Sequence, residues 1–123
     1  MAEAAPTSSP LGFVGLGDMG GAMTAHLLDT GFAVTVHDLA ADAVAPLVEA
    51  GAGEADSPAE VAEASAHIGV CVPADEHVVQ VVAGPGGILD GARPGTSVAV
   101  HSTVRPGTVV ELAGKAAERD VVL

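Results

Sequence analysis

The sequence predicts an α/β domain with an open, mostly parallel, doubly wound sheet that carries helices on both faces. Three observations support this prediction. Short apolar runs alternate with amphipathic helical segments along the whole chain. A glycine-rich turn joins the first of these runs to the first helical segment, and a run of β-branched residues follows that helix. At 123 residues, the chain has the length of one domain.

The first strand leads into the glycine-rich turn. Residues 11–20 read LGFVGLGDMG, a short apolar run followed by Gly15-x-Gly17-x-x-Gly20. In this spacing the first glycine permits a tight turn, the second lets a ligand approach the backbone, and the third lets the helix pack on the strand. The free N–H groups and the dipole of the helix start suit a pyrophosphate. The alternative is an ordinary strand–turn–helix without a ligand.

The next elements complete a βαβ unit. Apolar residues recur at helical spacing after the turn: Met19, Ala22, Met23 and Leu27. Gly31 is expected to end this helix, and residues 33–37 read as a second strand. Strand, crossover helix and strand in this order form a parallel unit whose crossover is right-handed.

Asp38 ends the second strand, at about the spacing of roughly 20 residues at which an acidic side chain binds the adenosine ribose. Its carboxylate would repel a 2′-phosphate, and no Arg follows it, which favours NAD over NADP. A plain turn residue or helix cap is one alternative for Asp38. A different adenosine-containing ligand, such as S-adenosylmethionine, is another.

The rest of the chain continues the alternation of strands and helices. We expect a helix over 41–50 that begins late or kinks at Pro46, a short strand at 51–55, and a helix opened by the capping box at 57–60. A strand over 68–72 and a helix over 75–83 should follow, and then a loop over 85–95. The chain should continue with a strand over 97–100, a helix opened by a second capping box at 108–111, and a last strand from 121. The inward faces of the helices are expected to be Val44, Leu47, Val48, Val61, Ala64, Val78, Val81, Val82, Val109, Leu112, Ala113 and Ala116. Residues 1–10 read as a disordered tail.

Composition excludes several function classes. The net charge is −12, and the four cationic side chains all lie in the last third of the chain, so nothing resembles a nucleic-acid-binding patch. An anion at the glycine turn must therefore be held by backbone N–H groups. The single cysteine, Cys71, rules out an internal disulfide and is expected to be a buried, inert thiol. No run of about 18 uncharged apolar residues predicts a membrane span.

The carboxyl ends of the parallel strands should meet at one edge of the sheet, where ligands bind. These ends carry residues 15–20, Asp38, 72–73 and 101–103. Among the five histidines, only His101 is expected to face this crevice, whereas His26 and His77 read as surface residues. No His, Cys or Asp cluster has metal-ligand spacing, and Ser102 lacks a recognisable base, which argues against acyl transfer.

Several segments carry a resemblance to a known family. GFVGLGDMGGAM, LLDTGFAVTVHD, VPAD and STVRPGT resemble the β-hydroxyacid dehydrogenases, which include 3-hydroxyisobutyrate dehydrogenase, tartronate semialdehyde reductase and relatives of 6-phosphogluconate dehydrogenase. The resemblance covers residues 11–123 and implies a Rossmann-type, NAD(P)-binding domain. It also implies hydride transfer between NAD, with NADP as second choice, and a small 3-hydroxy acid. The binding residues that it implies are Gly15, Leu16, Gly17, Asp18, Met19 and Gly20 for the pyrophosphate, Asp38 for the ribose, Val72 and Pro73 along the cofactor, Thr103 at the nicotinamide, and Ser102 for the substrate carboxylate.

The resemblance also marks what this chain does not contain. The family's second glycine-rich substrate motif and its catalytic lysine, on a helical C-terminal domain, fall beyond Leu123, and Lys115 matches no catalytic position. No catalytic residue is therefore expected here, and the 123 residues alone are expected to be inactive. The alternative is a free-standing nucleotide-binding or interaction module. The low charge content predicts apolar surface through which a homodimer would form, and we expect a cytoplasmic location.

Overall fold

The computed structural model describes residues 9–123, so most of the predicted tail lies outside the described residues. Within that range, five strands form one parallel sheet in the order β3-β2-β1-β4-β5, which confirms the predicted fold class. The strands are β1 (Leu11–Val14), β2 (Val34–His37), β3 (Gly53–Glu54), β4 (His67–Val70) and β5 (Ser97–Val100). The helices are α1 (Asp18–Thr30), α2 (Ala41–Glu49), α3 (Pro58–Glu63), α4 (Asp75–Ala83), α5 (Ile88–Gly91) and α6 (Pro106–Ala117).

The helices cover the sheet in two layers because successive side chains of a strand point to opposite faces. Phe13 of β1 packs in a cluster with residues of β2, α1 and α2, such as Val36 and Leu47. Val14, the next residue, packs in a second cluster with residues of β4 and of α3 to α6, such as Ile68 and Leu112. A sheet buried on both faces explains why its strands read as apolar runs.

The register brings the strand ends to one level. Val14 of β1 pairs with His37 of β2 on one side and with Val70 of β4 on the other, and Val70 pairs in turn with Val100 of β5. The chain leaves β1 towards β2 and β3 and later returns to the opposite side of β1 as β4. This reversal is the switch point at which open α/β sheets bind ligands.

Two predicted boundaries are wrong. The last helix begins at Pro106, with Arg105 as its N-cap, and not at the capping box that starts with Thr108. The Thr108 hydroxyl instead donates to the Asp75 carboxylate at 2.7 Å. The predicted loop over 85–95 contains the short helix α5, whose Ile88 is fully buried. Its glycine and proline content masked a single turn that packs on α3 and α4.

The predicted faces need smaller corrections. Val48 and Ala64 are exposed, and on α1 the buried positions are Gly20 and Thr24 rather than Met19 and Ala22. The second helix does not begin late: it starts at Ala41 and includes Pro46. The predicted last strand is a single parallel bridge between Ser97 and Val122.

Within residues 9–123, no helix combines the length and the apolar character needed to cross a bilayer.

Candidate functional site

A cavity of about 570 Å³ opens at the carboxyl ends of the strands, beside the switch point. Most of the predicted site residues line it: Gly15, Gly17, Asp18, Met19, Gly20, Asp38, Val72 and Pro73. They come from three separate loops, after β1, β2 and β4. The structure thus brings the glycine turn, the acidic strand end and the third loop to one concave surface, as small-molecule sites require.

Two glycines of the turn are required by the protein itself. Gly15 has φ of 95°, a left-handed conformation that favours glycine, and a side chain there would overlap the carbonyl oxygen of Cys71. A Cβ on Gly20 would overlap the carbonyl oxygen of Gly15. The turn and the first turn of α1 therefore pack backbone against backbone, which fixes where the helix begins.

Gly17 differs from its two neighbours. Its backbone is extended, with φ of −68°, and a Cβ there would meet no protein atom within 4 Å. Neither conformation nor packing inside the protein therefore demands glycine at this position. Since Gly17 also lines the cavity, the space that its missing side chain leaves open is available to a ligand pressed against the backbone. This is the fit that a pyrophosphate needs.

The start of α1 supplies the donors. Gly17 is the N-cap, and the N–H of Gly21 is the first to donate back, to the Gly17 carbonyl at 2.7 Å. Among the described residues, the N–H groups of Asp18, Met19 and Gly20 have no acceptor. The cavity lining contains no Lys or Arg, so an anion there is held by these N–H groups and by the helix dipole. The cavity lining carries two carboxylates, those of Asp18 and Asp38, and both are unfavourable charges for an anion there.

The Asp38 carboxylate is fastened to the glycine turn. One oxygen accepts the N–H of Leu16 at 2.7 Å, and the other accepts the N–H of Ala40, the N-cap of α2, at 2.8 Å. Each carboxylate oxygen keeps a further lone pair for an incoming hydroxyl. Leu16 itself is buried and does not line the cavity, so its backbone contributes by positioning Asp38.

Ser102 and Thr103 lie outside this cavity lining. The Ser102 hydroxyl oxygen accepts the N–H of Val72 at 2.8 Å, which joins the end of β5 to the loop after β4. Its proton remains free to donate. Thr103 is exposed. The contacts predicted for these two residues, with the substrate carboxylate and the nicotinamide, stay predictions.

His26 and His77 are exposed, as expected, but the expectation that only His101 faces the crevice is wrong. His37 and His77 line the cavity, whereas His101 does not; its ring stacks on that of Phe13, with centroids 6.0 Å apart. Cys71, expected to be buried, is half-buried and lines the cavity as well. The remaining lining residues that sequence reasoning missed are Val14, Leu39, Pro58, Gln80, Val81, Pro85 and Gly86. For His37 a signal existed, because it directly precedes Asp38 at a strand end.

A second polar cluster holds α6 against α4. One oxygen of Asp75 accepts the Thr108 hydroxyl at 2.7 Å, the Arg105 backbone N–H at 3.1 Å and the Arg105 Nε at 3.3 Å. The Thr108 hydroxyl, followed by the Arg105 N–H, lowers the pKa of Asp75 below its ordinary value. Elsewhere in residues 9–123, no group of three His, Cys, Asp or Glu side chains is placed to hold a metal ion.

Sequence comparisons agree with this geometry. The family model described as the NAD binding domain of 6-phosphogluconate dehydrogenase matches residues 10–123. An uncharacterized oxidoreductase of Mycobacterium tuberculosis is 43% identical over 110 residues, which cover 89% of this chain and 37% of that protein. The probable mitochondrial 3-hydroxyisobutyrate dehydrogenase of Dictyostelium discoideum is 41% identical over 107 residues, 87% of this chain and 33% of that protein.

Solved structures share the fold. A putative oxidoreductase from Mycobacterium avium superposes with a TM-score of 0.84 at 40% identity, over 93% of this chain and 40% of that one. Psf3 in complex with NADP+ and 2-OPP gives a TM-score of 0.85 at 29% identity, over 91% of this chain and 40% of that one. This chain thus spans less than half the length of the relatives that it matches. The family model covers nearly the whole chain, and the chain therefore belongs to the family of the NAD binding domain of 6-phosphogluconate dehydrogenase, a Rossmann-type domain.

Proposed function

We propose that this chain binds NAD at the cavity and serves as the cofactor domain of a dehydrogenase that acts on a small 3-hydroxy acid. The observation that supports it best is the junction of Asp38 with the glycine turn, through the 2.7 Å hydrogen bond from the Leu16 N–H. This bond sets a ribose acceptor at a fixed position beside the N–H groups of α1. A dinucleotide needs both sites, in this order along one molecule.

The binding roles follow from the geometry. The N–H groups at the start of α1 hold the pyrophosphate, and the missing side chain of Gly17 lets it approach the backbone. The free lone pairs of Asp38 accept the two ribose hydroxyls. Val72 and Pro73, at the end of β4, line the path towards the nicotinamide, which Thr103 would contact. Ser102, whose hydroxyl proton is free, would bind the substrate carboxylate.

The preference for NAD over NADP rests on charge. A 2′-phosphate would lie against the Asp38 carboxylate, and no cationic side chain lines the cavity to compensate. Psf3, a relative of known structure, is in complex with NADP+, so this fold can hold a dinucleotide with a 2′-phosphate. In this chain, the residue that decides the preference is Asp38.

The chemistry that a bound nicotinamide supplies is hydride transfer to or from the carbon that carries the substrate hydroxyl. This chain's residues bind and orient the dinucleotide and exclude water from one side of it. The resemblance to the β-hydroxyacid dehydrogenases implies that a lysine of a further domain is the catalytic residue, and this lysine is part of the proposal. The 123 residues alone are then inactive.

Titration tests the proposal. The purified chain is titrated with NADH, NADPH and S-adenosylmethionine by calorimetry, and its oxidation of 3-hydroxyisobutyrate with NAD is followed at the NADH absorbance. We expect saturable binding that is tightest for NADH, and no turnover. Tighter binding of NADPH would overturn the argument from Asp38. Binding of S-adenosylmethionine alone would overturn the proposal that the ligand is a dinucleotide.

Two further expectations belong to the same proposal. Val110 on α6 and Val122 beside β5 are exposed, at 72% and 68%, which supports association of two copies through this side of the molecule. Light scattering at high concentration tests it, and a monomer would contradict it. A cytoplasmic location also stays a prediction; the Dictyostelium relative is named as mitochondrial.

A further inference from the structure

One ring nitrogen of His37 is hydrogen-bonded to the protein backbone, and the other has no protein partner among the described residues. Its Nδ1 lies 3.1 Å from the carbonyl oxygen of Ala55, just after β3. A carbonyl oxygen only accepts, so Nδ1 carries the proton of the neutral ring and Nε2 is a hydrogen-bond acceptor. The contact with Ala55 thus fixes the tautomer of His37 and the orientation of its ring.

The free nitrogen is accessible. Among the described residues, no side chain or backbone group bonds to Nε2 of His37, and no buried side-chain nitrogen or oxygen lacks a partner. Nε2 is therefore within reach of solvent. His37, which carries this accessible acceptor, is half-buried and lines the cavity.

The geometry of a dinucleotide puts its base next to this wall. With the pyrophosphate at Gly17 and the ribose hydroxyls at Asp38, the base projects from the ribose on the side away from the glycine turn. His37 and Leu39 flank Asp38 at the end of β2, and Pro58 at the start of α3 and Gln80 and Val81 of α4 line the same cavity. Leu39 is 97% exposed, an apolar side chain whose placement suits a base face.

We propose that His37 selects the adenine base, by accepting a hydrogen bond at Nε2 from the 6-amino group. The inference rests on the proposed dinucleotide site and adds a specificity-determining residue to it. A 6-amino group donates, whereas the 6-oxo group of hypoxanthine or guanine accepts. A 6-oxo purine would therefore set two acceptors against each other and leave both without a donor. The site is then selective for 6-aminopurine dinucleotides.

The test compares NADH with its hypoxanthine analogue, deamino-NADH, which differs only at the base. Dissociation constants are measured by calorimetry on the purified chain at mildly alkaline pH. We expect the wild-type chain to bind NADH about fivefold more tightly, or more, since an unpaired acceptor facing another acceptor costs at least about 1 kcal/mol. Equal dissociation constants would overturn this inference and leave the dinucleotide site standing. No binding of either ligand would overturn both.

A matched pair of variants assigns the effect to His37. In His37→Asn, the amide nitrogen takes the place of Nδ1 and preserves the donor to Ala55, while nothing replaces Nε2. We expect this variant to bind the two dinucleotides within about twofold of each other. His26→Asn makes the same change on the exposed surface of α1, outside the cavity lining, and should keep the wild-type ratio. A wild-type ratio in His37→Asn would assign base selection to another group, such as Gln80, and overturn the inference. Even if His37→Asn fails to fold, the inference stays falsifiable, because equal dissociation constants of the wild-type chain for the two ligands would overturn it.

Discussion

Gly17→Ala separates the proposed cofactor site from the fold. The backbone at Gly17, with φ of −68° and ψ of −162°, is extended and open to alanine, and the new Cβ would meet no protein atom within 4 Å. We therefore expect the free energy of unfolding to change by less than about 0.5 kcal/mol. The same methyl group occupies the space through which the pyrophosphate reaches the backbone. We expect the dissociation constant for NADH to rise about tenfold or more, equal to a loss of about 1.4 kcal/mol.

The assay pairs thermal unfolding with calorimetric titration of NADH. Gly114→Ala is the control, because a Cβ at this position of α6 also meets nothing within 4 Å, and alanine there stabilises the helix by up to about 1 kcal/mol without changing affinity. Gly20→Ala is the contrast: its Cβ overlaps the Gly15 carbonyl, so it should lower stability as well as affinity. Wild-type affinity of Gly17→Ala for NADH would refute the reasoning, since the space at Gly17 would then have no ligand to admit.

Three further substitutions test single charges. Asp38→Asn removes a charged hydrogen-bond acceptor from the ribose, so it should weaken NADH binding about tenfold and reduce the difference between the affinities for NADH and NADPH. Titration with both dinucleotides measures these affinities, and an unchanged affinity for NADH would contradict the prediction. Asp18→Asn removes a carboxylate beside the pyrophosphate, so it should tighten NADH binding about two- to fivefold at low salt. This gain in affinity should fade in about 1 M salt, and a loss of affinity would contradict the prediction. Asp75→Asn should lower the unfolding temperature at neutral pH. The pKa of Asp75 is depressed in the folded chain, so its contribution to stability is present above the ordinary aspartate value of about 3.9 and is lost as the pH falls through the folded value. A difference between the two unfolding temperatures that does not shrink as the pH falls below the ordinary aspartate value would contradict it.

The order of the elements could be predicted because each carries a local signal. The β-branched run that contains Val34 and Val36 reads as a strand, and Gly31 caps the preceding helix with φ of 104°. The start of α6 escaped prediction because two local signals compete there. Thr108 and Glu111 have capping-box spacing, but Pro106 is an equally good first residue, and the structure uses the Thr108 hydroxyl for Asp75 on another helix. That choice depends on tertiary packing, which no local pattern contains.

Part of the candidate site could likewise be predicted from the sequence, and part could not. Residues at strand ends were predictable, because parallel strands bring their carboxyl ends to one edge whatever the side chains do. The face of the sheet on which each side chain projects was not predictable. His101 leaves β5 on the face of Phe13, and the two rings stack because Gly69 lies between them: a Cβ on Gly69 would come within 2.6 Å of the Phe13 ring. The sheet order that puts β4 between β1 and β5 decides this contact.

Two loop amides give the cavity rim a property that loops ordinarily lack. Leu16 and Val72 lie outside any strand or helix, yet their N–H groups donate to Asp38 and Ser102 at 2.7 and 2.8 Å. Amide hydrogens exchange with solvent only when such bonds open, so both should exchange slowly, at rates closer to those of the sheet than of other loop residues. Each amide then reports on the separation of one loop from one strand end. Hydrogen exchange at these two positions therefore distinguishes local opening of the rim at Asp38 from local opening at Ser102.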